Sequence, residues 1–198
     1  MTETSNAQHG LTEHSHGAGV PLQIRSDRPR SKSVSDFPAI DQWQDLWRYL
    51  DASALKGLDA DVLGEYKDEV QFVETSGVTF SWIDSTDARV GTIGLPEDRV
   101  AAAAYTNASK TLLVEIAKDA IISEPIRINV VGSSSSASAL HIVIVAGKFS
   151  QATLVLTHSG LGVLGENIEL DVQDEAKLNF VSVQTWDCLL YTSDAADD

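Results

Sequence analysis

The chain has 198 residues, 43% of them hydrophobic, enough for one domain of ordinary size with a sizeable core. Its formal net charge of −15 argues against a nucleic-acid backbone or an anionic membrane as partner, because both are gripped through Lys/Arg surfaces. A single cysteine, Cys188, leaves no internal disulfide and no Cys-x-x-Cys pair for a metal or cluster.

Residues 1–35 are polar, rich in Ser, Thr, His and Gly, and aperiodic; they read as a disordered leader. The leader carries His9, Glu13, His14 and His16 where a secretion signal would place a basic patch and an apolar core. Residues 36–97 read as a small α/β region. Trp43, Leu46, Trp47 and Leu50 fall at i, i+3, i+4 and i+7, one apolar face of a helix, with Asp41 as its cap. Leu55, Leu58 and Leu63 suggest a second short helical piece. Val70 to Trp82 reads as two strands about a Ser76-Gly77 turn. Glu97 to Lys110, with its run Ala101 to Ala104, predicts a short connecting helix.

From Thr111 the pattern becomes regular, and residues 98–187 read as one β unit. Val114 and Ile116 alternate, then Ile126, Ile128 and Val130, then Ile142, Ile144 and Ala146. Ala152, Leu154 and Leu156 follow, then Ile168, Leu170 and Val172, then Ala176, Leu178 and Phe180. Ile142 and Ile168 stand 26 residues apart, Leu154 and Leu178 24 apart. Each unit is a strand, a short polar turn and a second strand. Gly132 to Ala139 and Ser159 to Glu166 are the predicted return loops. A sandwich of antiparallel hairpins and a β-solenoid of stacked parallel coils both fit. The near-fixed period favours the solenoid. No apolar run approaches the roughly 20 residues that span a bilayer, and the expected compartment is the cytoplasm.

Residues 188–198 read CLLYTSDAADD and abandon this pattern. They resemble the in-frame translation of a transposase sequencing adapter, so the natural sequence is expected to stop near Asp187 and its parent to be longer. Cys188 and the acidic Asp194, Asp197 and Asp198 then fall outside the fold argument. A coil left open at Trp186 would expose apolar side chains and strand edges, so the fragment is expected to be poorly soluble.

Few residues invite chemistry. His9, His14 and His16 could hold a divalent ion only weakly, with no fold to set their geometry. His141 and His158 sit at strand ends and read as coil corners. Gly132 to Ser138 lacks the lysine and following helix of a phosphate loop, and Gly160, Gly162 and Gly165 match G-x-G-x-x-G without a helix after them. Glu169, Asp171, Asp174 and Glu175 are acidic neighbours of the kind that polysaccharide-cleaving β-helices cluster, but a solvated face accounts for them. No catalytic, cofactor-binding or metal-ligating residue is assigned. No Ser/His/Asp triad can be argued from order or spacing.

The phrases DRVAAAAYTNA (Asp98 to Ala108), SEPIRINVVG (Ser123 to Gly132) and ENIELDVQDEAKLNFVSVQTWD (Glu166 to Asp187) resemble the SufB/SufD family of iron–sulfur cluster assembly proteins, its SufD branch more closely. Leu46-Trp-Arg-Tyr resembles the family's E-E-W-R-[FY]-T-P-L segment, with Leu46 in place of an acidic residue and Leu50-Asp51 in place of Thr-Pro. The leader HGLTEHSHGAGVP is similar to that of actinobacterial members. The resemblance implies a right-handed parallel β-helix, here truncated, between helical end regions. It implies a scaffold subunit that pairs with SufB and docks the ATPase SufC, which handles ATP, while the complex handles the iron–sulfur cluster. The family's cluster-building residues fall beyond Asp187, so none is carried over. The competing reading is a secreted or surface β-helix, a carbohydrate-active enzyme or an adhesin.

Overall fold

The computed structural model describes residues 29–187, apart from 42, 45 and 66–68. The predicted metal candidates His9, His14 and His16, and the adapter-like residues 188–198, lie outside the described residues. The described chain is mainly β. Its strands are β1 (Gly64–Glu65), β2 (Glu69–Phe72), β3 (Val78–Asp84), β4 (Lys110–Ile116), β5 (Ile126–Ala146), β6 (Gln151–Val172) and β7 (Lys177–Trp186), with helix α1 (Arg99–Asn107) before β4. They join one curled mixed sheet in the order β3-β4-β5-β6-β7, and β1 and β2 also pair with β5.

β4 through β7 run parallel to one another, as stacked coils require and hairpins of a sandwich do not. β5 and β6 have 21 and 22 residues, and each bends midway. Their first halves and β7 form one wall; β4 and their second halves form another. Ile126, Ile128, Leu154 and Leu156 of one wall share a buried core with Leu112, Val114, Ile142 and Ile144 of the other. Fully burying each such side chain stabilises the fold by about 1.5–3 kcal/mol. The described residues show the parallel stacking of β4 to β7 that a β-helix needs, within a mixed sheet and not as a closed right-handed parallel β-helix. β2 and β3 lie antiparallel to their neighbours, and the sheet curls as a half-barrel.

Ile142 pairs with Ile168, as the period predicts, but Leu154 pairs with Phe180, not Leu178. The predicted return loops are strand. Gly132 pairs with Gly160 and Ser138 with Leu164, so the ladder runs round the corner and satisfies the backbone there. A register shift between Ser134 and Ala137 absorbs the bend. Glycine is required at this corner. Gly160 has φ +77°, and a Cβ on either Gly132 or Gly162 would lie 2.7 Å from the Trp186 ring, which packs across both.

The polar turns stack as well. Asp119, Phe149 and Glu175 take left-handed φ of 61°, 62° and 56° at equivalent places. The Asp119 N–H donates to the Lys148 carbonyl, and the Phe149 N–H to that of Asp174.

The N-terminal part departs most from expectation. The predicted helix through Trp43 and Leu50 is a run of turns closed by i→i+3 bonds (Gln44 to Asp41, Trp47 to Gln44, Leu50 to Trp47). Asp41 does cap its start, accepting from the Trp43 N–H at 3.0 Å. Most of its apolar face stays exposed: Trp43 is 81% exposed and Leu46 52%, while Trp47 is half-buried. The second helical piece is a short 3-10 turn, Ala52–Leu55, capped by Asp51. β2 and β3 do not form a hairpin; β2 pairs with β5 and β3 with β4, while Phe72 and Phe80 stack at 4.3 Å.

α1 forms as predicted, with Asp98 capping through the Ala101 N–H at 2.9 Å. Ala102, Ala103 and Ala104 are buried, and small side chains let the helix lie close against β5 and β6. Arg99 ties the N-terminal segment to it, donating to the carbonyls of Phe37 (2.8 Å) and Asp59 (2.7 Å) and to the Asp61 carboxylate (2.6 Å). Val34 and Phe37 are buried beside Ala102 and Ala103.

Candidate functional site

Strand alternation sends even-numbered side chains of β4–β7 into the curl and odd-numbered ones outward. Each face carries one buried histidine paired with a glutamate.

The outer pair is His141 on β5 and Glu169 on β6. Their strands pair His141 with Asn167 and Val143 with Glu169, so the two side chains are diagonal neighbours. His141 is 1% exposed, and its Nε2 lies 2.8 Å from Glu169 Oε1. Glu169 also accepts the N–H groups of Gly91 (2.6 Å), Thr92 (3.1 Å) and Ile93 (3.2 Å). Three consecutive peptide donors and an imidazole donor thus saturate one carboxylate, and Glu169 fastens the segment between β3 and α1 over His141. An ionised carboxylate is acceptor-only, so His141 carries its proton on Nε2 and leaves Nδ1 as a bare acceptor. That Nδ1, the Tyr105 hydroxyl and the Thr111 hydroxyl are buried without a hydrogen-bond partner. The Tyr105 ring meets the imidazole edge-on at 5.0 Å, and Lys32 Nζ stands 5.3 Å over that ring. Burial pushes the His141 pKa below its ordinary 6.5, the Glu169 carboxylate opposes this, and Lys32 adds to the lowering. Beside the pair is a cavity of about 280 Å³ lined by Ile93, Leu95, Pro96, Tyr105 and His141.

The inner pair is His158 and Glu166, both on β6, brought face to face by the bend between them. His158 Nε2 lies 3.0 Å from Glu166 Oε2. Its Nδ1 is 2.9 Å from Gln184 Nε2, which donates to it; His158 therefore also has its proton on Nε2. Gln184 Oε1 accepts from the Trp186 indole at 2.7 Å, and that ring lies 5.5 Å from the imidazole. This is a satisfied polar network inside an otherwise apolar curl.

Glu169 was expected on a solvated face. It does point outward, but α1 and the 91–96 segment cover it, leaving it 7% exposed. The solvated reading holds for the turn residues: Asp174 pairs with Lys148 at 2.7 Å in the open, and Glu175 is exposed. Asp171 is half-buried. The two histidines read as corners are both buried and carboxylate-paired. Gly160, Gly162 and Gly165 lie along β6, with no helix after them. Among the described residues no group of three or more His, Cys, Asp or Glu side chains converges as a metal ion would need. Among them, too, no helix is long and apolar enough to cross a membrane.

The chain is similar to curated proteins named as iron–sulfur cluster assembly SufBD family proteins. The one from Mycobacterium leprae is 32% identical over 144 residues, 72% of this chain and 37% of that protein. Those from Mycobacterium bovis and Mycobacterium tuberculosis are 31% identical over the same length, 36% of each. The chain therefore spans a little over a third of the length of the curated relatives it matches. No protein-family model and no solved structure matches it. The likeness is to the SufB/SufD family as a whole and does not separate SufD from SufB.

Proposed function

We propose that this SufBD-like chain is part of a scaffold subunit, SufD-like, of a cytoplasmic iron–sulfur assembly complex. It works through contacts with a SufB-type partner and a SufC-type ATPase and catalyses no reaction alone. The ATPase binds ATP, and the cluster is the complex's cargo. The observation that carries the reading is the parallel stacking of β5, β6 and β7 at offsets of 26 to 28 residues, in a stretch similar to cluster-assembly proteins. A repeating coil builds an elongated surface suited to holding partners. In the longer parent, further coils stack on β7 and complete a right-handed parallel β-helix. Tight glutamate pairing of both buried histidines favours a structural part for them. The secreted carbohydrate-active or adhesive alternative has no support among the relatives.

The test is co-expression of the full-length parent with SufB and SufC from the same source. The parent should co-purify with both, and the complex should load a cluster onto an apo-ferredoxin when ATP is supplied. A parent that elutes alone in the presence of both subunits would refute the proposal.

A further inference from the structure

The segment between β3 and α1 is held in an unusual way. Its Gly91, Thr92 and Ile93 N–H groups all converge on one carboxylate, Glu169, reached from a strand 76 to 78 residues away. Gly91 takes φ +74°, which turns the peptide groups toward that carboxylate and suits glycine alone. The same carboxylate holds His141, and the segment covers both. We propose that Glu169 and His141 form a proton-operated latch, closed near neutral pH, whose release lifts residues 91–96 and opens the cavity they cover.

The closed state requires a neutral imidazole. Its Nε2–H donates to Glu169, and its Nδ1 has no partner among the groups around it. A second proton on Nδ1 would create a buried N–H with no acceptor, next to a nearby lysine. The titratable groups facing His141 are Glu169 on β6, Tyr105 on α1, Lys32 on the N-terminal segment and Glu97 at the cavity wall. β4 contributes Thr111 in direct register, which does not titrate. Glu169 is the one anion bonded to the ring, and its lone pairs are already shared with three peptide groups. The imidazolium is stabilised by water, and the 91–96 segment is the cover that keeps water out. Burial accordingly disfavours the protonated ring in the closed state. By linkage, whatever closure does to proton affinity, protonation does to closure. Lifting the segment exposes the His141 and Tyr105 side chains, which line the cavity of about 280 Å³ beside it.

Amide hydrogen exchange on this chain, measured at pH 7.5 and pH 5.0 and corrected for intrinsic rates, tests the latch. Gly91, Thr92 and Ile93 should be protected at pH 7.5 and lose severalfold of that protection at pH 5.0. The β4 amides of Leu112 to Ile116 should keep theirs. In Glu169→Gln, which keeps the shape but removes the charge, the three amides should be unprotected at both pH values. In His141→Gln, protection should persist and the pH response should shrink. Unchanged protection of the three amides in the wild-type chain at pH 5.0 would overturn the proposal. Loss shared equally by β4 would overturn it as well, since that is global unfolding. The wild-type comparison decides the matter even if a variant fails to fold.

Discussion

The lowered pKa of His141 makes the stability of the whole chain depend on pH. In the unfolded chain the imidazole titrates near 6.5, and in the folded chain it titrates lower. Between those values the unfolded chain holds a proton that the folded one does not, so stability rises with pH across that window and levels off above it. The urea midpoint should therefore fall as pH is lowered from 7.5 to 5.5, and His141→Phe should flatten the slope. An equal slope in both proteins would exclude His141 as its source. The pairing behind this was partly legible in the sequence. Glu169 reads as outward-facing from the alternation of its strand, whereas His141 reads only as a coil corner, although the odd numbers of the two residues put both on one face. What could not be read was the cover, because nothing in the local pattern says that residues 91–93 return 76 to 78 residues later to cap that face. His158 and Glu166 were hidden for another reason. The stretch between them reads as a loop, whereas it is bent strand that turns both side chains inward.

At the scale of the element, period-2 alternation was a reliable guide and helical periodicity was not. β4 through β7 appear where apolar residues alternate, because their backbones have parallel neighbours to pair with and a core to fill. The stretch from Trp43 to Leu50 has an amphipathic pattern but no partner surface among the described residues, and a short helix without burial is marginal. Gly- and Ser-rich corners were taken for loops because their composition suits turns, yet in stacked coils each corner pairs with the next. The turns themselves carry an avoidable cost. Phe149 is 45% exposed at φ 62°, a conformation that costs a residue with a Cβ about 1–2 kcal/mol. Phe149→Asn should raise stability by about 1 kcal/mol in urea denaturation, since Asn tolerates this conformation. Phe149→Val should lower it.

For the whole molecule, charge is the dominant surface property. With 29 acidic and 14 basic side chains, the folded chain concentrates like charge that the unfolded chain disperses. The exposed pairs Lys148–Asp174 and Arg89–Asp87 offset little of this, being solvated. Raising NaCl from 0.05 to 0.5 M at pH 7.5 should therefore raise the melting temperature by a few degrees, as expected for relief of about 1 kcal/mol. A lower melting temperature at high salt would mean that the specific ion pairs outweigh the general repulsion. The parity of the core has a further consequence. Every side chain from Leu112 to Trp186 that packs inside the curl bears an even number, across three turns, two bends and a register shift between Ser134 and Ala137 that gives β5 two extra residues. The chain thus keeps a two-residue frame over its whole β region. Gain or loss of one residue within a strand of that span would turn the later inward positions of that strand to the outer face. Length changes of two, like the shift between Ser134 and Ala137, leave the frame intact. Coils of this kind can lengthen or shorten only in pairs, and the corner at 135–136 shows where such a pair is absorbed.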